Sequence, residues 1–214
     1  MSQPELPLLL GEIHRLTQGY RSGTPAAFDA FRDLVSLLLN HTVMADGSAV
    51  RLIYGPGARA RQEPVLGGWN GPDDPVRLTN GLYLKLLVSL YLEDTPEGRR
   101  CKVRQSSFQY QIDPEGERWV FRYDYLRTPP EPHPGMHVQV RGRLSEPDCL
   151  PVDRPLERVH FPTNRISLEA VIRLLIEQFE LPPRSPDNIW RPLLASSEAA
   201  FLEIAHRAIS GPPH

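Results

Sequence analysis

The chain has 214 residues, 40% of them hydrophobic and 23% charged, with a formal net charge of −2, which is enough apolar material for a packed core in one large domain. The balance lacks the basic excess of a dedicated DNA-binding domain; the longest apolar run, Leu6 to Leu10, is broken by Pro7 and far too short for a bilayer. The start lacks a signal-peptide pattern, and Cys101 and Cys149 stand outside any CxxC spacing, so the expectation is a cytoplasmic protein with no membrane, no DNA, no metal and no cofactor.

Two helices are predicted first. Leu9, Ile13, Leu16 and Tyr20 recur at helical spacing. Thr24 as N-cap and Pro25 at the first helical position open a second helix, with Phe28, Phe31, Val35, Leu38, Leu39 and Thr42 along one stripe. The pair reads as a helical hairpin over residues 1–45. Residues 46–80 read as loop-rich, with one short strand over Val50–Tyr54 and turn chemistry at Gly55–Gly57 and Gly67–Pro72. These glycines do not spell a phosphate-binding loop.

Residues 81–161 carry the pattern of an antiparallel sheet. Leu82, Leu84, Leu86, Val88, Leu90 and Leu92 alternate with Tyr83, Lys85, Leu87, Ser89 and Tyr91, a period of two. Asp113-Pro114-Glu115-Gly116 is a turn that pairs a strand over Val103–Ile112 with one over Glu117–Leu126. In the second, Trp119, Phe121, Tyr123 and Tyr125 share one face and Arg122 and Asp124 the other. Past a proline-rich connection, a strand over Met136–Leu144 points Met136, Val138 and Val140 to the core and His137, Gln139, Arg141 and Arg143 away. A fifth, over Leu156–Phe161, points Val159 and Phe161 inward and Arg158 and His160 outward. Ser167 then caps a helix with Leu168, Val171, Ile172, Leu175 and Phe179 as its stripe, stopped by Leu181-Pro182-Pro183. A last helix is expected over Ser197–Ile209. The fold class is therefore α+β: one domain over 1–214, an antiparallel β-meander packed on one face by helices, with an N-terminal helical hairpin and C-terminal helices over 167–211.

If the strands neighbour one another in chain order, Arg122, Asp124, His137, Gln139, Arg141, Arg158 and His160 share one face. Histidine exchanges protons near neutral pH, and arginine holds phosphate and stabilises charge. Such a set suits metal-independent RNA cleavage. It equally describes a solvated sheet face with ordinary cross-strand ion pairs. Asp124 stands out, because a strand interior disfavours aspartate and an ion pair with a neighbouring arginine is the simplest remedy. The catalytic candidates are Asp124, His137, Arg122, Arg141 and His160. His133 to His137 leads from a loop into a strand, without the helical spacing of metal-binding histidine pairs. All but two of the 24 basic residues are arginine, the exceptions being Lys85 and Lys102. Arg99 and Arg100 beside Cys101 would favour its thiolate.

The run Phe121-Arg122-Tyr123-Asp124-Tyr125, the connection ending His133-Pro134-Gly135-Met136-His137, the segment Leu156 to Phe161 and Ser167-Leu168-Glu169-Ala170-Val171-Ile172 together resemble the TumE-type toxins of bacterial toxin–antitoxin pairs. The resemblance covers about Leu82 to Phe179, and the helices at both ends are additional to it. It implies a toxin-like or defence-associated protein, RNA as target and an antitoxin as protein partner. Only Arg122, Asp124, His133, His137 and His160 carry over from it. The alternative expectation is a non-catalytic protein–protein interaction module that docks a neighbouring gene's product in a multi-gene bacterial system.

Overall fold

The computed structural model describes residues 6–56, 63–131, 134–142 and 161–207. Its elements run α1 (Leu6–Tyr20), α2 (Ala26–His41), β1 (Val50–Ile53), β2 (Val65–Gly68), β3 (Val76–Arg77), β4 (Tyr83–Thr95), β5 (Gly98–Gln111), β6 (Trp119–Leu126), β7 (Met136–Val140), β8 (Phe161–Pro162), α3 (Leu168–Gln178) and α4 (Asp187–Arg207). The strands form one antiparallel sheet in the order β1-β2-β4-β5-β6-β7-β8, with β3 paired to β4. This is the expected α+β architecture, and from β4 onward it is a meander. Among the described residues no helix is long and apolar enough to cross a membrane.

The core forms where the predicted stripes meet. Ile13 of α1, Phe28, Leu38 and Leu39 of α2, Leu84, Leu86 and Leu90 of β4 and Val171, Ile172 and Leu175 of α3 belong to one buried cluster. Each set follows the period of its own element, 3.6 in the helices and two in the strand. Ser167 caps α3 as expected, its hydroxyl accepting from the Ala170 N–H at 3.0 Å. The helix ends at Gln178, earlier than the prolines require, because Glu180 turns left-handed at φ 53° and Leu181 tucks into the core.

Several local expectations are corrected. Thr24 does not cap α2 with its side chain; its hydroxyl lies 3.0 Å from that of Ser22, and its carbonyl accepts from Ala27. Gly67 and Gly68 are strand, not turn. They are glycine because the chain folds back upon them: a Cβ on Gly68 would lie 2.1 Å from the Asp74 carbonyl oxygen. The stretch 46–80 therefore contributes three strands rather than the one expected over Val50–Tyr54. A bulge between Tyr110 and Gln111 breaks the alternation before Phe121, so Trp119 leaves the aromatic row and sits 6.0 Å from the Arg122 guanidinium. The last helix begins ten residues before Ser197, at Asp187, and accommodates Pro192; Trp190, Leu193, Leu194 and Ser197 are its buried edge.

The largest correction concerns β7. Met136 and Val140 were expected inside, yet they are 37% and 38% exposed, and Phe161 of β8 is 42% exposed. His137 and Gln139, expected outside, are 3% and 6% exposed. The helical layer ends with Phe179, whose ring packs on Tyr110 and Phe121 at 5.2 and 5.5 Å. The strand beyond β6 thus keeps its apolar face without a helix upon it. Leu144, Arg158 and Val159 lie outside the described residues.

Candidate functional site

Strand register brings the predicted polar residues together in part. Asp124 lies directly opposite His137, and Arg122 opposite Gln139, across β6 and β7. Ser107 and Gln109 of β5 continue the same two rows. Directly opposed residues in an antiparallel pair share a face, so all six side chains leave the sheet on one side. Arg122 Nε donates to Asp124 Oδ2 at 2.7 Å, and its Nη2 donates to the Gln139 side-chain oxygen. Asp124 Oδ2 is also 3.4 Å from His137 Nε2. This is the partner that an aspartate in mid-strand needs. The arginine fixes the carboxylate, the glutamine fixes the arginine, and the histidine lies beside the carboxylate.

The surroundings define what this group can do. A small pocket touches Asp124 and His137, but its other walls, among them Phe108, Tyr123, Tyr125 and Ile166, belong to the aromatic face of the sheet, opposite to the Arg122 and Asp124 side chains. Asp124 and Arg122 are partly exposed, whereas only 4% of the His137 side chain meets solvent. A proton-transfer group must come within about 2.6–3.2 Å of the atom it serves; the buried His137 offers little of its ring to such an approach. The separation of 3.4 Å is also longer than an ordinary N–H···O bond.

Arg141 lies farther along. Just past the end of β7 and four residues beyond His137, it is about 13 Å from it along the chain direction. Its backbone N–H donates to the Val120 carbonyl at 2.9 Å, and its guanidinium donates to the Glu117 carbonyl. His160 and His133 lie outside the described residues, as does Arg143. Gln139 gains importance: in the sequence it is one polar residue of a row, but in the fold it is the second anchor of Arg122. Only its register opposite Arg122 could have revealed this.

Cys101 contradicts the expectation for its thiol. It is buried, and burial pushes it up to about 12, with the Tyr20 hydroxyl only partly offsetting the effect. Arg99 and Arg100 are instead directed to Asp94 and Glu97. Among the described residues no three His, Cys, Asp or Glu side chains gather closely enough to hold a metal ion. No family model, curated protein or solved structure matches the chain.

Proposed function

We propose that this protein is a non-catalytic docking module that engages a protein partner through the apolar strip at the β7–β8 end of its sheet. The observation that supports this reading is the inverted burial along β7, with His137 and Gln139 inside and Met136 and Val140 outside. Phe161, paired with Val138, and Phe179 extend the strip. Full burial of one such side chain contributes about 1.5–3 kcal/mol, so a handful of partly exposed ones supplies a worthwhile hydrophobic centre for an interface. The near-neutral net charge of −2 favours a protein surface over a polyanion. The expected partner is the product of a neighbouring gene in a multi-gene bacterial system, met in the cytoplasm. Size-exclusion chromatography of the two purified products should yield a stable complex. Met136→Glu combined with Val140→Arg should abolish it and leave the melting temperature of the free chain within a few degrees of the parent's. A complex indifferent to both substitutions rules out this strip as the docking surface.

The Arg122–Asp124–His137 contact favours a second reading, a toxin-like component acting on RNA, in line with the resemblance to TumE-type toxins. Arg122 would hold a phosphate, and His137 with Asp124 would move the proton. Expression without a partner should then arrest growth, and His137→Ala or Asp124→Ala should relieve the arrest. Folded variants that remain equally toxic exclude these residues from the chemistry.

A further inference from the structure

On the helix side of the sheet, away from the polar group, a cavity of about 90 Å³ lies among α1, α2, β5, α4 and the segment leading into α3. That is room for about three waters. Phe31, Leu34, Val35, Leu38 and Val103 supply its apolar wall. An apolar cavity of this size is ordinary; its polar groups are not.

Thr17 of α1 is 6% exposed, and its hydroxyl has no hydrogen-bond partner. A helical threonine usually satisfies itself on the carbonyl one turn back, as Thr42 does on Leu38 at 2.6 Å. Thr17 instead lines the cavity. Arg165 is partly buried at the same cavity, its guanidinium 4.5 Å from the Tyr125 ring centroid and 4.9 Å from that of Phe201. Among the described residues it has no carboxylate partner and no hydrogen bond. Arg127, on the same wall, donates Nε to the Val103 carbonyl at 3.0 Å and likewise lacks a carboxylate among them. Other partly buried arginines have a carboxylate: Arg32 with Asp29, Arg100 with Glu97, Arg104 with Glu63, Arg122 with Asp124, Arg173 with Glu198. Arg51, Arg77 and Arg118, by contrast, are exposed to solvent. Lys102 adds a third cation to the cavity. The one carboxylate lining it, Glu169, already accepts from Ser197.

Two guanidiniums held half out of water at an apolar cavity, with no counter-charge, constitute a site for an anion that brings its own apolar body. We infer that the cavity binds a small organic acid. The carboxylate lies on Arg165 and Arg127, the hydrocarbon rests against Leu34, Val35 and Phe31, and the Thr17 hydroxyl supplies a further polar contact. A free inorganic anion has no use for the apolar wall, and a neutral alcohol none for the arginines.

The test titrates the full chain with butyrate, n-butanol and inorganic phosphate, following methyl and amide NMR shifts of Leu34 and Val35. Butyrate should saturate these shifts and bind at least about tenfold more tightly than n-butanol, while phosphate leaves them unmoved. Arg165→Gln should weaken butyrate about tenfold or more and leave n-butanol unchanged. Ala200→Leu retains every charge and fills the space, so it should remove both ligands without lowering the melting temperature; it serves if the arginine variant does not fold. Equal affinity for butyrate and n-butanol overturns the inference, as does butyrate binding that survives Ala200→Leu, or no butyrate binding at all. None of these results bears on the docking strip, whose variants leave the cavity intact.

Discussion

Asp124 is costly in mid-strand, and its neighbours show how the cost is met: Arg122 on its own strand, His137 across from it, and Gln139 holding the arginine in turn. Glu169 illustrates a different solution. A carboxylate in the first turn of a helix suits the dipole, yet this one is buried, with the Ser197 hydroxyl donating to it. Burial pushes its carboxyl above the usual range. The folded chain therefore binds that proton more tightly than the unfolded chain. The resulting stability is present below the unfolded value and is lost as pH rises through the folded one. Glu169→Gln keeps the acceptor and removes the charge, so its melting temperature should exceed the parent's by a few degrees near about pH 8, the gap narrowing towards about pH 5. Cys101 makes a simpler case. With its thiol pushed up to about 12 behind a buried wall, a Cys149→Ser chain should react with a thiol reagent at neutral pH only as fast as the fold opens, whereas the unfolded chain reacts at once.

At the scale of elements, the stripes of α1, α2, α3 and β4 were legible because period and burial agree there. The aspartate was legible as well, because propensity marks it. β7 was misread for a physical reason. Alternation separates two faces but does not say which is covered, and apolar-inward is only the usual answer. The first half of α4 was hidden by Pro192, although Trp190, Leu193, Leu194 and Ser197 keep helical spacing around it. The absence of its N–H costs one internal bond, and the packing of Trp190 and Leu194 outweighs that loss. How elements abut was not legible at all. Gly23, between α1 and α2, has φ +67°, and a Cβ there would lie 1.8 Å from the Arg99 carbonyl oxygen at the start of β5. Gly23→Ala meets both the left-handed penalty and a backbone clash, and should destabilise the chain by about 2 kcal/mol or more in urea unfolding.

At the scale of the molecule, the segment between α3 and α4 is stitched to the end of α2 and the start of the sheet. The Arg184 N–H donates to the Thr42 carbonyl at 2.7 Å. Its guanidinium donates to the Met44 carbonyl at 3.0 Å and meets Asp46 at 2.7 Å. Thr79 donates to the Pro182 carbonyl at 2.7 Å. Asp46 is exposed, so the ion pair adds little; the carbonyls beyond the end of α2 matter more. Arg184→Ala should cost about 1–2 kcal/mol in equilibrium unfolding, with Asp46→Ala close to neutral.

That stitch also sets a clock. Met44 and Arg184 are 140 residues apart, and a ribosome adds about 5–20 residues each second. The helical hairpin thus emerges roughly seven to twenty-eight seconds before the segment that closes over its end has been made. Throughout that interval the stripe of Phe28, Leu38 and Leu39 lacks the completed C-terminal helices, and at its start it lacks the sheet as well. The nascent chain is therefore a natural client for a holding chaperone, and slowing synthesis after α2 lengthens its exposure rather than helping it to fold.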